Sequence, residues 1–141
     1  MDLQKLLDSM SVKEKVYQLL QLNSSFLKAQ GAFDATGPLK DLHLSAEDMK
    51  YVGTTLNSLG CKRMKEIQKE YLEQNPHKIP LIFMQDVIHG HRTIYPINLG
   101  FAASFDLDLS KECAEMAAKE ASVDGVQVNF APMVDLARDA R

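Results

Sequence analysis

A continuous apolar run, Ile79–Met84, that leads directly into a polar loop is the feature that most constrains the fold of this chain. Such a run, without alternating polar residues, is typical of a strand that is covered on both faces in a parallel sheet. Asp86 stands where this strand is expected to end, and Arg92 follows in the same loop. Ligands bind beyond the carboxyl ends of parallel strands. The sequence therefore makes Asp86 and Arg92 candidates for a shared ligand pocket.

The segments on either side of this run alternate between strand and helix patterns. Short strands are predicted at Tyr51–Leu56 and Val126–Phe130. Two amphipathic helices are predicted between the three strands, with the inner faces Met64, Ile67, Tyr71 and Leu72 in the first and Leu109, Cys113, Met116, Ala117 and Ala121 in the second. Asp106 or Asp108 can cap the second helix, and Gly125 suits its C-terminal turn. This alternation predicts an α/β fold with parallel strands, either a doubly wound sheet or a (β/α) barrel.

The first fifty residues are predicted to be a helical and irregular lead-in, residues 1–50. Ser11 and Glu14 have the spacing of a capping box, and the apolar residues that follow predict a helix of about three turns. The segment Asn23–Asp48 contains Gly31, Gly37 and Pro38, so we expect a long excursion with at most short helical pieces.

Composition excludes several functional classes. The formal net charge of −3 comes from 16 basic and 19 acidic residues that form no long block, which gives no case for a nucleic-acid or membrane partner. The segment Met1–Lys5 carries charges where a signal peptide needs its apolar core, so a cytoplasmic location is predicted. Cys61 and Cys113 are isolated and indicate neither a disulfide nor a metal motif. Because no glycine-rich phosphate loop joins a strand to a helix, nucleotide binding is disfavoured, and no cofactor is predicted.

Several strings along the chain resemble the N-terminal domain of glycoside hydrolase family 3, especially its bacterial β-glucosidases. In chain order they are Thr36–Leu39, Val52–Thr54, Lys78–Leu81, Asp86–Gly90, Arg92–Pro96, Ala117–Ala121 and Phe130–Asp135. The resemblance implies a (β/α) barrel domain. Since a full barrel needs about 250 residues, residues 1–141 are expected to form a partial TIM (β/α)8 barrel with the first strands and helices only. The implied activity is hydrolysis of terminal non-reducing β-D-glucosyl residues with retention of configuration.

The same resemblance implies that Asp86 and Arg92 hold the glucose. A carboxylate accepts hydrogen bonds from sugar hydroxyls, and a guanidinium donates to others and keeps the carboxylate ionised. Retaining enzymes need a nucleophilic carboxylate and an acid/base carboxyl group. In the family both lie downstream of the matched segments, so no catalytic residue is assigned and the 141-residue chain alone is expected to be inactive. A further sugar-binding arginine ends a string that is cut here after Asp139–Arg141, where Ala140 replaces the usual proline.

Simpler interpretations of these residues stay open. From its position alone, Asp86 could cap a helix or bind loop amides, and Arg92 could be a surface ion-pair residue. His89 and His91 have alternating spacing, but no third ligand lies within motif range, so a metal site is disfavoured. A hydrogen bond from His89 that stabilises the loop is the favoured role.

Two other functions compete with the leading one. The chain could be a stand-alone sugar-binding or assembly module, or it could belong to the related β-N-acetylglucosaminidase branch. Asp135 and Asp139 follow the last predicted strand, and loop capping is favoured over a catalytic role for this pair. Because a partial sheet leaves an unpaired edge and an uncovered helix face, self-association or binding to the remainder of the barrel is expected.

Overall fold

The computed structural model describes residues 2–27, 43–45, 47–136 and 138. The helices and strands within these ranges are α1 (Leu3–Ser9), α2 (Val12–Tyr17), β1 (Gln21–Asn23), β2 (Thr54–Leu56), α3 (Cys61–Gln74), β3 (Ile82–Gln85), α4 (Asn98–Ser104), α5 (Leu107–Asp124) and β4 (Val128–Asn129). Single 3-10 turns lie at Ser24–Phe26 and Asp48–Tyr51. None of the described helices is long and apolar enough to cross a membrane.

The four strands form one parallel sheet in the order β1-β2-β3-β4. Leu22 pairs with Thr55, Thr55 pairs with Phe83, and Met84 pairs with Val128. Each strand therefore adds to the edge formed by the strand before it, as in a (β/α) barrel, whereas a doubly wound sheet reverses direction. The parallel α/β architecture is confirmed, and the strand order favours the barrel among the two topologies left open by the sequence.

The main core lies between the first three strands and α3. It contains Leu22, Leu27, Met49, Val52, Met64, Ile67, Tyr71, Leu81 and Phe83, all buried. The predicted inner face of α3 is confirmed by Met64, Ile67 and Tyr71. The Tyr71 hydroxyl donates to the Val52 carbonyl at 2.6 Å and accepts from Nδ2 of Asn75 at 2.9 Å. These contacts fix α3 on the segment that leads into β2, and β2 is the neighbour of the strand that leads to Asp86.

The long helix α5 begins and ends as its sequence predicts. Asp106 is the N-cap, and its Oδ1 accepts from the backbone N–H of Leu109 at 2.9 Å. The helix ends at Gly125, whose φ of +101° lies in the left-handed region that favours glycine. The alternative cap, Asp108, lies inside the first turn instead.

The buried face of α5 is narrower than predicted. Ala117 and Ala121 are buried and pack with Val87, as expected for an inner face. Leu109 and Met116 are 43% and 45% exposed, so the prediction is wrong for these two positions. The small residues of the stripe thus pack against Val87, in the loop that follows β3.

The largest differences from the sequence predictions lie before residue 50. The capping box of Ser11 and Glu14 is confirmed, since both reciprocal hydrogen bonds are present. The helix that it starts is shorter than predicted and ends at Tyr17. Strand β1 follows within the predicted irregular lead-in, where Leu22 is 5% exposed. Most of the predicted excursion after Asn23 lies outside the described residues.

Candidate functional site

Polar residues gather at the carboxyl edge of the sheet. Asn23 ends β1, Asn57 follows β2, Gln85 ends β3 and is followed by Asp86, and Asn129 ends β4. Because all four strands are parallel, these ends meet at one edge. Asp86 is exposed, and no hydrogen bond or ion pair among the described residues involves its carboxylate. The edge therefore presents a carboxyl acceptor to solvent where a ligand can reach it.

The loop after Asp86 is closed by its own backbone. Tyr95 N donates to the His89 carbonyl at 2.8 Å, and Nδ1 of His89 lies 3.1 Å from the Tyr95 carbonyl. The favoured interpretation of His89 as a loop-stabilising residue is thus confirmed. Gly90, with φ of +124°, forms a bridge to Ile94. A Cβ at Gly90 would lie 2.0 Å from the Thr93 carbonyl oxygen, so only glycine fits this turn.

The tip of the loop binds two carboxylates of α5. Glu120 accepts from the backbone N–H groups of Arg92 and Thr93, both at 2.9 Å, and from the Thr93 hydroxyl at 2.6 Å. Asp124 accepts from Nε of Arg92 at 2.9 Å and lies 2.8 Å from Nε2 of His91. The loop is therefore attached to the C-terminal end of α5 through both its backbone and its side chains.

These contacts shift the acid–base behaviour of the three charged groups. The hydrogen bonds from Thr93 hold the pKa of Glu120 below its ordinary value. The hydrogen bond from Arg92 likewise lowers the pKa of Asp124, although burial opposes this shift. The hydrogen bond to Asp124 in turn raises the pKa of Arg92. Both carboxylates are thus ionised near neutral pH, as their role as acceptors requires.

The two residues predicted to hold a ligand lie at the start and the tip of this loop, but only Arg92 has a side-chain partner among the described residues. The guanidinium of Arg92 is bonded to Asp124, and 65% of the Arg92 side chain is exposed. The structure shows no contact between Arg92 and Asp86 in the described ranges. Arg92 lines a cavity of about 400 Å³ together with Cys61, Glu120 and Asp124, and Asp86 is not part of its lining. Their sharing of one pocket stays a prediction.

Sequence reasoning missed Glu120, Asp124 and Asn129. Glu120 and Asp124 are four residues apart at the C-terminal end of α5, where like charges repel and where the helix dipole disfavours acids. Acids in such an unfavourable position indicate that their carboxylates bind donors from another part of the chain. Asn129 carries no comparable signal, because a polar residue at a strand end is ordinary. Its side chain accepts from Val87 N at 3.0 Å and Ala131 N at 3.1 Å.

A second, larger cavity of about 580 Å³ lies behind the loop. It is lined mainly by apolar residues of the loop, α4, α5 and the segment after β4, among them Val87, Tyr95, Phe101, Ala117 and Pro132. Cys113 also lines it, and Cys61 and Cys113 are both free and half-buried. Within the described ranges, no group of three or more His, Cys, Asp or Glu side chains is arranged to hold a metal ion.

The chain matches known proteins along almost its whole length. The model of the glycosyl hydrolase family 3 N terminal domain matches residues 11–141. A periplasmic β-glucosidase of Salmonella typhimurium is 36% identical over 138 residues, which are 96% of this chain and 16% of the relative. A lysosomal β-glucosidase of Dictyostelium discoideum is 26% identical and covers 93% of this chain and 18% of the relative.

Solved structures of a β-glucosidase from Listeria innocua share the fold. The complex with gluconolactone superposes with a TM-score of 0.82 at 39% identity, over 99% of this chain and 20% of that one. The complex with glucose gives a TM-score of 0.81 at the same identity. The chain thus spans about one fifth of these relatives and corresponds to the N-terminal portion of their barrel. The partial TIM barrel predicted from the sequence is confirmed.

The predicted cytoplasmic location is wrong. It was inferred from the charged N-terminal segment Met1–Lys5, whereas the Salmonella typhimurium relative is a periplasmic enzyme. The composition of a few terminal residues carries too little information to assign a compartment.

Proposed function

The chain belongs to glycosyl hydrolase family 3, and from that membership we propose that it forms the first part of the glucose-binding barrel of a retaining β-glucosidase. The protein acts on terminal non-reducing β-D-glucosyl residues. The observation that supports this best is the position of Asp86, an exposed carboxylate at the carboxyl edge of a parallel sheet whose fold matches β-glucosidases crystallised with glucose.

Asp86 binds the sugar by accepting hydrogen bonds from two adjacent hydroxyls. A carboxylate has acceptor sites on both oxygens, and charge-assisted hydrogen bonds are stronger than neutral ones. The backbone on both sides of Asp86 is tied to β4, through Phe130 N to the Gln85 carbonyl at 3.1 Å and through Val87 N to Asn129. The carboxylate is therefore held on a rigid base while it stays open to solvent.

Arg92 supplies donors at the rim of the same site. The contacts with Asp124 use Nε and Nη2 of Arg92, so Nη1 points away from that pair and is available to a sugar hydroxyl or to the group bound beyond the glucose. Because Asp124 holds the guanidinium in place, little side-chain entropy is lost when it binds a ligand.

Neither catalytic carboxyl group is assigned within the chain. The protein contributes to substrate binding, and the nucleophile and the acid/base come from other parts of the enzyme. The purified 141-residue chain is therefore expected to release no nitrophenol from an aryl β-glucoside above background. Measurable turnover would overturn this part of the proposal.

The binding role is tested by titrating glucose into the isotopically labelled protein and following backbone amide signals by NMR. Asp86→Asn is expected to weaken glucose binding at least tenfold, since it removes the charge and half of the acceptors. Asp135→Asn is the matched control, because Asp135 is also an exposed acid that follows a strand, and it should bind like the wild type. Equal affinities for D86N and the wild type would contradict the assignment.

The other functions weighed from the sequence give different results in the same experiments. A stand-alone sugar-binding module would bind glucose as a monomer. A β-N-acetylglucosaminidase would prefer N-acetylglucosamine to glucose in the same titration.

We also propose that the protein associates through its exposed apolar surface, either with itself or with the remainder of the barrel. A monomeric mass by light scattering at high concentration would contradict self-association.

A further inference from the structure

Asn129 joins the two loops that follow β3 and β4. Its single side-chain oxygen, Oδ1, accepts from Val87 N at 3.0 Å and from Ala131 N at 3.1 Å. An amide oxygen has two lone pairs, so both are used. The side chain therefore connects the residue after Asp86 to the segment that leaves β4.

The Val87 N–H needs this acceptor. The pairing of β3 with β4 ends where Gln85 meets Asn129, so the ladder offers no strand partner beyond that point. Val87 is 3% exposed, which limits access of water to its backbone. A buried N–H without an acceptor is costly, and Asn129 provides the acceptor from a side chain.

Asp86 lies between two peptide groups that β4 holds. On one side the Gln85 carbonyl accepts from Phe130 N at 3.1 Å, and on the other side Val87 N donates to Asn129. Fixing both flanking peptides limits rotation of the Asp86 backbone and so sets the direction of its Cα–Cβ bond. Without the second contact, only one side of Asp86 would be attached.

From this geometry we propose that Asn129 is a positioning residue for the sugar-binding carboxylate of Asp86. The proposal rests on the proposed function of Asp86 as a glucose ligand. Asn129 suits the task because its amide oxygen accepts hydrogen bonds without adding a charge beside Asp86. Its effect is to raise glucose affinity by presenting Asp86 in the binding orientation before the sugar arrives.

The residue before β4 provides a matched control. Gln127 lies two residues before Asn129 and directly precedes β4, and its Oε1 accepts from Phe83 N at 2.6 Å. It therefore makes the same kind of side-chain bridge to β3, but at a residue that is remote from Asp86 along the strand. Removing either bridge weakens the attachment of β3 to β4. Only the loss of the Asn129 bridge releases the peptide next to Asp86.

The test compares Asn129→Ala and Gln127→Ala in three measurements: glucose affinity by NMR titration, amide hydrogen exchange, and the free energy of unfolding in urea. We expect N129A to weaken glucose binding about five- to tenfold, which corresponds to the loss of one hydrogen bond. Exchange at Val87 should become at least tenfold faster. Q127A should accelerate exchange at Phe83 and keep glucose affinity within twofold of the wild type, even where both variants lose similar stability.

The proposal is overturned by N129A binding glucose within twofold of the wild type, or by Q127A losing as much affinity as N129A. If N129A does not fold, Asn129→Ser replaces it with the same expectations, because a serine hydroxyl is too short to bridge to Val87. If the wild type and D86N bind glucose equally, the proposed role of Asp86 as a glucose ligand is contradicted, whatever the result for Asn129. The positioning role is then decided by the backbone order parameter of Asp86, which must fall in N129A and stay unchanged in Q127A.

Discussion

The two halves of the sheet bury their apolar side chains to very different extents. Around β1, β2, β3 and α3, nine apolar residues form one buried cluster, and Ile67 and Leu81 are at most 2% exposed. Around β4, α4 and α5, the buried cluster is limited to Val87, Ala117 and Ala121. Large apolar residues of that second half are exposed instead, namely Ile97, Leu99, Phe105, Leu107, Val123, Val134 and Leu136.

This difference separates what the chain stabilises by itself from what it offers to a partner. The first half contains one sheet face and the helix that covers it, so the apolar surface between them is removed from water within the chain. Leu19, Leu59 and Ile82 of this half stay exposed. The second half holds the loop of the candidate site by hydrogen bonds and ion pairs to α5 and leaves apolar surface uncovered. Exposed apolar patches of this kind mark interaction surfaces.

The largest effect is expected from truncation of the first core. Ile67→Ala should lower the free energy of unfolding by about 2 to 5 kcal/mol, because it removes buried methylene groups and leaves a cavity. Ile97→Ala is the same truncation at a residue that is 58% exposed in the second half, and it should cost less than about 0.5 kcal/mol. Urea unfolding monitored by circular dichroism measures both. Similar costs at the two positions would remove the contrast between the halves.

A smaller effect is expected from the buried amide of Asn75. Its Nδ2 donates to the Lys50 carbonyl at 2.8 Å and to the Tyr71 hydroxyl, and its Oδ1 accepts from His77 N at 2.9 Å. Asn75→Ala leaves these buried groups without partners and should cost about 1 to 3 kcal/mol. In the second half, Asn98→Ala removes an exposed hydrogen bond to the Met133 carbonyl and should cost less than about 0.5 kcal/mol in the same assay.

Acid should loosen the loop of the second half through Glu120. The pKa of Glu120 in the folded protein is lowered from 4.5. Its contribution to the stability of the loop is therefore complete above pH 4.5 and is lost as the pH falls through the lowered pKa. Amide exchange at Arg92 and Thr93, corrected for intrinsic rates, should therefore become severalfold faster below pH 4.5. Glu120→Gln should remove this pH dependence.

The first half provides the control for that acid effect. The hydrogen bonds from Ser11 lower the pKa of Glu14 to about 2, so this capping residue loses its contribution over a similar range at the other end of the molecule. Glu14→Gln should change exchange in α2 and leave the pH dependence at Arg92 and Thr93 intact. If E14Q and E120Q have the same effect on these amides, acid is acting on the whole fold instead of on the loop.

The smallest effect is expected at Phe105, which ends α4 in the left-handed region with φ of +54° and is 94% exposed. Phe105→Gly relieves that backbone conformation and should raise the free energy of unfolding by about 0.5 to 1 kcal/mol. It should also reduce self-association in light scattering. Leu99→Gly removes an exposed side chain from the first turn of the same helix and should instead destabilise, by up to about 1 kcal/mol. Destabilisation by F105G would mean that Phe105 contributes to packing.

The sequence predicted the parts of the fold whose signals are local. The stripe of α3, the capping box at Ser11 and the cap at Asp106 all depend on residues close together in the chain, and each is confirmed. The strand predicted from the run Ile79–Met84 is confirmed in part, because β3 covers Ile82–Gln85 and Ile82 is 42% exposed instead of covered. Strand β1 was missed because three residues with one buried Leu22 form no pattern by themselves. Its pairing with β2 is what defines it as a strand.

The candidate site was likewise predicted only where residues close together in the chain carry the signal. The position of Asp86 followed from the strand before it, whereas its neighbours depend on contacts across the sheet and to α5. Arg92 was placed in the correct loop, but its bond to Asp124 could not be inferred, because thirty residues separate the two partners along the chain. Asn129 was missed for the same reason, since its bond to Val87 exists only after β3 and β4 have paired.

The strand order β1-β2-β3-β4 has a consequence for synthesis on the ribosome. Every strand finds its neighbour in the strand made just before it, so no strand has to wait for a distant part of the chain. The N-terminal half can close its core while the segments that carry β4 are still being translated. One open edge is always the newest strand, and the peptide after Asp86 gains its side-chain acceptor only when Asn129 has left the exit tunnel.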